Sequence, residues 1–165
     1  MRELKFVIDA MLGKLVKWLR IIGCDVLSVT EIGDSDEDLL NVAKSTGRTL
    51  ITGDQALFQR SWRKGVKVKY IEGNDVIKAL ALLSKTESVP LRIDLDRTRC
   101  PDCNSKLIEL PSEKVSEIPS EIRARHNWVY LCIKCNKAYW LGSHYLKMLK
   151  TLMEAKKKRD GVQII

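Results

Sequence analysis

The stretch KFVIDAMLGKLVKWLRIIGCDVLSV, residues 5–29, decides the fold. LKFVID (residues 4–9) is an apolar run that ends on a carboxylate, and it reads as a buried strand. The period then changes: Leu12, Leu15, Val16, Leu19 and Ile22 recur at three- and four-residue steps, with Lys14, Lys17 and Arg20 on the other side. Gly23 stops this helix, and DVLSV (25–29) reads as a second strand. Two strands joined through a helix, with no hairpin turn, pair in parallel.

Outward from this unit the alternation continues. SDEDLLNVAKSTG (35–47) opens with Ser35 and Asp38 in a capping-box arrangement, presents Leu39, Leu40 and Ala43 as an apolar face, and closes on Gly47. RTLIT (48–52) reads as a strand leading into Gly53-Asp54, with a helix from Gln55 to Arg63 behind it. VKVKYI (66–71) alternates like a strand near a sheet edge, and NDVIKALALLSKT (74–86) is a further helix. The fold class is therefore α/β, a parallel sheet with helices on its faces. The pattern ends near Pro90. We expect an α/β domain over residues 1–92, a cysteine-bearing module over 93–150 and a basic helix or tail over 151–165. The KKKR run in the closing segment reads as a solvated face.

Composition narrows the function classes. Net charge is +8, from 29 basic and 21 acidic residues, a field that attracts polyanions and makes nucleic acid the leading partner class. No apolar run approaches the roughly 20 residues that span a bilayer, so no membrane role is expected. The start MRELKFVID lacks the apolar core of a signal peptide. Five cysteines, four of them in CxxC pairs, suit a reducing compartment, and we expect a cytoplasmic protein. The fifth, Cys24, reads as a small buried hydrophobe.

CPDC at Cys100 and Cys103 and CIKC at Cys132 and Cys135 form two knuckles, each offering two thiolates. Four thiolates complete a closed tetrahedral shell, so the expected zinc ion is structural; iron on the same ligands is the chemical alternative. Trp128, Tyr130, Tyr139 and Trp140 flank the second knuckle and are expected to pack over it, in preference to stacking on bases. With the shell saturated by sulfur, His144 is a surface or nucleic-acid-contacting residue instead of a fifth ligand.

The second constellation is acidic. Asp9 ends the first strand, Asp36 lies in the first turn of a helix, and Asp54 follows the RTLIT strand. In a parallel sheet the strand C-termini and the following helix starts share one edge, so the three carboxylates are expected to converge there. Hard oxygen ligands suit magnesium or manganese. Lys14, Lys17 and Arg20, on the helix directly after Asp9, are the candidates to hold a nucleic-acid backbone. A phosphotransfer receiver also carries aspartates at strand ends, but no lysine here is clearly placed after a later strand.

FVIDAMLGKLVKWLRIIGCDV, SDEDLLNVAKSTGRTLITGDQALF and the ribbon segment CPDCNSKL…CIKCNKAYWLGSH together resemble the PIN-like ribonucleases. More narrowly, they resemble the family in which a PIN-like domain carries a C-terminal zinc ribbon, as at the C-terminus of the nematode mutator exonuclease. The similarity runs from about Lys5 to about Leu149. It implies a PIN-like fold and magnesium- or manganese-dependent RNA cleavage at Asp9, Asp36 and Asp54. Gly53 departs from the family, which usually has an arginine there, and Asp75 is a candidate for the fourth acid of PIN domains. Two functions compete: a metal-dependent endoribonuclease, and a non-catalytic nucleic-acid-binding protein that uses its ribbon and basic surface.

Overall fold

The computed structural model describes residues 2–161. Strand β1 (Lys5–Ile8) lies inside a four-stranded parallel sheet of order β2-β1-β3-β4, with β2 at Asp25–Ser28, β3 at Thr49–Thr52 and β4 at Val68–Tyr70. An interior strand is covered on both faces, which is why its residues are apolar without alternation. Phe6 and Ile8 point into one core, shared with α1 (Gly13–Ile22) and α5 (Val76–Glu87). Val7 points into the other, shared with α3 (Asp36–Thr46) and α4 (Gln55–Arg63). Strand β3 divides in the same way, Ile51 to the first core and Leu50 to the second. The edge position expected for VKVKYI is the one β4 occupies. Lys67 just before it and Lys69 within it converge on the buried Glu87 at the end of α5, with Lys67 Nζ at 2.5 Å and Lys69 Nζ at 3.2 Å.

The cysteine module is a three-stranded antiparallel sheet, β5 (Ile108–Pro111), β6 (Trp128–Cys132) and β7 (Lys137–Tyr139), with the short helix α6 (Ser120–Arg125) between the first two strands. Its own core is small: Val115, Ile118 and Val129, with Leu110, Ala138 and Trp140 beside them. So little apolar burial does not by itself hold a module of this size. Helix α7 begins at Ser143 and runs to Gly161, returning to the α/β domain. Leu152 and Ala155 enter the first core, and Arg159 donates to Ser84 Oγ on α5 at 3.1 Å. Residues 151–161 of the segment expected to be a basic helix or tail thus form the second half of this helix, which has one buried side; residues 162–165 lie outside the described residues.

Arg20 fastens the module to the domain. The sequence makes it a candidate to hold a nucleic-acid backbone, yet it is 2% exposed. Its Nε and Nη2 donate to the Val26 carbonyl on β2 at 3.1 and 2.8 Å. Nη2 also pairs with Glu31 Oε1 of α2 (Val29–Ile32) at 3.0 Å, and Nη1 donates to the Pro101 carbonyl inside the first knuckle at 3.0 Å. Around it, Arg99 N donates to Arg20 O and Thr98 Oγ1 to Ile21 O, both at 2.9 Å. The exposed edge of β2 is then covered by Asn104, whose Oδ1 accepts from Val26 N and whose Nδ2 donates to Asp25 Oδ1. Gly23 is required where the linker crosses: φ is 107°, and a Cβ there would meet Arg97 at 3.0 Å.

Burial alone would raise the Glu31 carboxyl, but hydrogen bonds from the Ser28 hydroxyl and amide, and the charge of Arg20, hold it below the usual range. Asp25 is likewise held down, against burial, by Arg48 and Asn104. A carboxyl lowered on folding stabilises above its unfolded value, about 4 for these groups, and loses that contribution as pH falls through the folded value. The urea midpoint is therefore expected to drop steeply below about pH 4, and Glu31→Gln should flatten that dependence. Arg20→Ala strands two carbonyls and a carboxylate and is expected to cost about 3–5 kcal/mol in urea unfolding. Arg20→Lys should recover little of it, because an ammonium lacks the planar fork.

Two candidate metal centres

At the first centre, Cys100, Cys103, Cys132 and Cys135 bring their sulfurs within 4.8 Å of one another. A tetrahedral zinc with bonds of about 2.3 Å has sulfur–sulfur edges of about 3.8 Å. The Cys100–Cys135 and Cys103–Cys132 separations, 4.0 and 3.4 Å, bracket that value, so the four fit one ion. The turn geometry follows from CxxCN written twice. Asn104 and Asn136, each directly after a second cysteine, take φ of 69° and 53°, a left-handed conformation that asparagine tolerates. The backbone then folds back, and Cys135 N donates to Cys132 Sγ at 3.4 Å.

Electrostatics at the sulfurs point the same way. Burial would push Cys103 up, but hydrogen bonds from Ser105 bring it down to about 6. Its thiolate in turn pushes Cys135 up to about 12. Crowded sulfurs resist joint ionisation unless a cation neutralises them. Beside them Asp102 is held below the carboxylate range by Lys137 and Lys17, so Lys17 is tied to the knuckle by an ion pair at 3.6 Å.

The second centre is the C-terminal edge of the parallel sheet. Asp9 caps the 3-10 turn after β1, Asp54 caps α4 after β3, and Asp75 caps α5 after β4. Asp36 is the first residue of α3, behind the Ser35 cap. Strand, then acid, then helix start is thus the repeated layout. It sets carboxylates along one edge because every strand runs the same way. Asp9 is buried at 6% exposure, and its carboxylate is fully engaged. Oδ1 accepts from Met11 N at 2.9 Å, while Oδ2 accepts from Thr52 Oγ1 and from Gly53 N. Thr52 Oγ1 accepts in turn from Asp54 N at 3.0 Å, which links the two carboxylate residues through one hydroxyl.

The expected convergence is partial. Asp9 and Asp54 are joined on neighbouring strands, whereas Asp36 is exposed and faces Arg60 at 3.9 Å. Among the described residues, the cysteines alone form a group of three or more ligands within 4.8 Å. Of the cations expected to hold RNA, Lys14 is exposed, has no ion-pair partner among the described residues, and lines a cleft with Met11, Gly73, Asn74 and Asp75 at this edge. Arg20 is corrected: its guanidinium is buried and spent on the ribbon contact, so it is not available to touch a ligand. His144 is exposed at the start of α7, in an apolar cleft with Tyr139, Trp140 and Tyr145 between ribbon and helix. Thr52 and the Gly53 amide were not singled out from the sequence; the TGD triplet closing β3 is the signal that marks them.

Replacing Cys132 by serine is expected to remove about one equivalent of bound metal per chain and to lower the melting temperature, read by elemental analysis and thermal unfolding. Loss of metal without loss of stability would contradict a structural role.

No curated protein matches the chain, and no solved structure matches it. The model of the Mut7-C RNAse domain family matches residues 4–152, which covers both the sheet edge with its aspartates and the four-cysteine ribbon. That match points to ribonuclease activity and to RNA as substrate, and no helix among the described residues is long and apolar enough to cross a membrane. With the match running from before β1 into α7, the chain belongs to the Mut7-C RNAse domain family.

Proposed function

We propose that the protein is a magnesium- or manganese-dependent endoribonuclease whose catalytic site is the sheet edge bearing Asp9, Asp36 and Asp54, with a structural zinc at the four cysteines. The observation that carries this reading is Asp9, a buried carboxylate oriented by three donors at the end of a central strand. Burying an anion is costly, and a fold that does so at a ligand-accepting edge has a use for it. The donor set is all oxygen, which suits a hard cation. Magnesium retains several waters and needs one or two direct carboxylates besides the substrate phosphate, so three acids that are not in mutual contact still fit it.

Such a cation would neutralise charge on the scissile phosphate and acidify a water. The chain's own residues do the rest. Thr52 and the Gly53 amide hold the Asp9 carboxylate in one orientation. The Thr52 hydroxyl couples that orientation to Asp54, whose Oδ1 is taken by Leu57 N. Lys14, in the first turn of α1, supplies positive charge for the RNA backbone beside Asp9. Arg60 balances Asp36 at the start of α3. Cysteines kept as thiolates for zinc suit a reducing compartment such as the cytoplasm.

Cleavage of single-stranded RNA is expected to need added magnesium or manganese and to fall by roughly two orders of magnitude or more in Asp9→Asn. Lys14→Ala should raise KM more than it lowers kcat. The competing reading, a non-catalytic RNA-binding protein, draws on the hydrogen bonds that already satisfy Asp9. It expects salt-sensitive RNA affinity unchanged by Asp54→Asn, with no turnover in any divalent metal.

A further inference from the structure

Helix α4, capped by Asp54, presents a face that combines aromatic and polar side chains. Gln55, Phe58, Gln59, Trp62 and Arg63 recur at three- and four-residue steps and share that face, while Leu57 and Ser61 are buried on the other. Trp62 is 71% exposed. One turn nearer Asp54, Phe58 meets Tyr70 of β4 with ring centroids 6.0 Å apart and planes tilted by 56°. Aromatic surface therefore runs from the strand end at the acidic edge onto α4 and along it to Trp62, which lies about 12 Å down the helix axis from Asp54.

Charge complements it. Residues 55–71 contain no aspartate or glutamate and carry Arg60, Arg63, Lys64, Lys67 and Lys69. Arg60 and Lys64 face Glu37, and Lys67 and Lys69 converge on Glu87. Arg63 is exposed and has no ion-pair partner among the described residues. The exposed ring of Trp62, continued by the half-buried pair Phe58 and Tyr70 and flanked by the unopposed Arg63, is the kind of surface single-stranded nucleic acid uses: bases stack on rings and phosphates take cations.

We propose that the α4 face of Phe58, Trp62 and Arg63, extended by Tyr70, holds the single-stranded segment of the RNA substrate adjoining the cleaved bond. The proposal rests on the acidic edge being the site of cleavage and adds the surface that holds the unpaired substrate and the path it takes. Bases in a duplex are already stacked on one another, so this face selects unpaired RNA, and it does so with little sequence preference because every base has a stacking face.

The test uses the full chain carrying Asp9→Asn, so that binding is measured without cleavage, with oligouridylate and a blunt RNA duplex as probes. Adding Trp62→Ala is expected to weaken oligouridylate binding about tenfold, abolish a large part of the tryptophan quenching and leave duplex binding nearly unchanged. Trp62→Phe should restore most of the affinity, and Arg63→Gln should reduce the salt slope by about one. Undiminished oligouridylate affinity together with undiminished quenching in the Trp62→Ala variant overturns the proposal, even if the unmodified protein cleaves RNA. If stacking is found but the unmodified protein cleaves nothing in magnesium or manganese, the catalytic reading fails and the binding face stands.

Discussion

The guanidinium of Arg20 is withdrawn from water, and its contacts join three other parts of the chain. It leaves α1, meets β2 and α2, and ends on the carbonyl of Pro101 within the first cysteine knuckle. An arginine so placed carries a large desolvation cost that only well-directed acceptors offset. Val26 O, Glu31 and Pro101 O supply those acceptors. The position of the ribbon, the covering of the β2 edge and the stability of the α1–β2 corner are therefore set together.

That arrangement gives the ribbon a structural place before any ligand is considered. Its small core and four cysteines suit a module held by metal. Its first knuckle supplies Pro101 and Asn104 to the edge strand of the α/β domain. Helix α7 then leaves the ribbon and buries Leu152 and Ala155 against the helices of the first core. A cysteine-rich insertion bracketed by two contacts with the same core behaves as part of the domain's packing, so removing it would uncover α1, β2 and α5 at once.

At the other end of the sheet the same residues serve two purposes. Asp9, Asp54 and Asp75 each accept from a backbone amide and so start the structure that follows their strand. A cap uses one oxygen of a carboxylate, which leaves the second with acceptor capacity at Asp54 and Asp75, while at Asp9 the second accepts from Thr52 and the Gly53 amide. Helix starts and acid positions coincide because the geometry that satisfies an orphan amide also points a carboxylate at the edge where strands end.

Much of this was legible in order along the chain. The apolar period changes between residues 5 and 29, the Gly23 and Gly47 stops and the edge character of VKVKYI specify parallel strands and their helices, because each depends on neighbours a few residues away. The paired CxxC spacing likewise specifies the four-sulfur site, since two tight turns bring two ligands each. What tertiary structure alone decided depends on groups far apart in sequence. Helical periodicity placed Arg20 among solvated lysines, but a ribbon about 80 residues later covers it. The basic look of the chain's end concealed a buried stripe that acquires meaning only against α5. The Thr52 link between Asp9 and Asp54, and the continuity of Tyr70 with α4, arise from strands laid side by side. Period and spacing report local conformation; which charge is buried and which ring stays in water is settled by what packs over it.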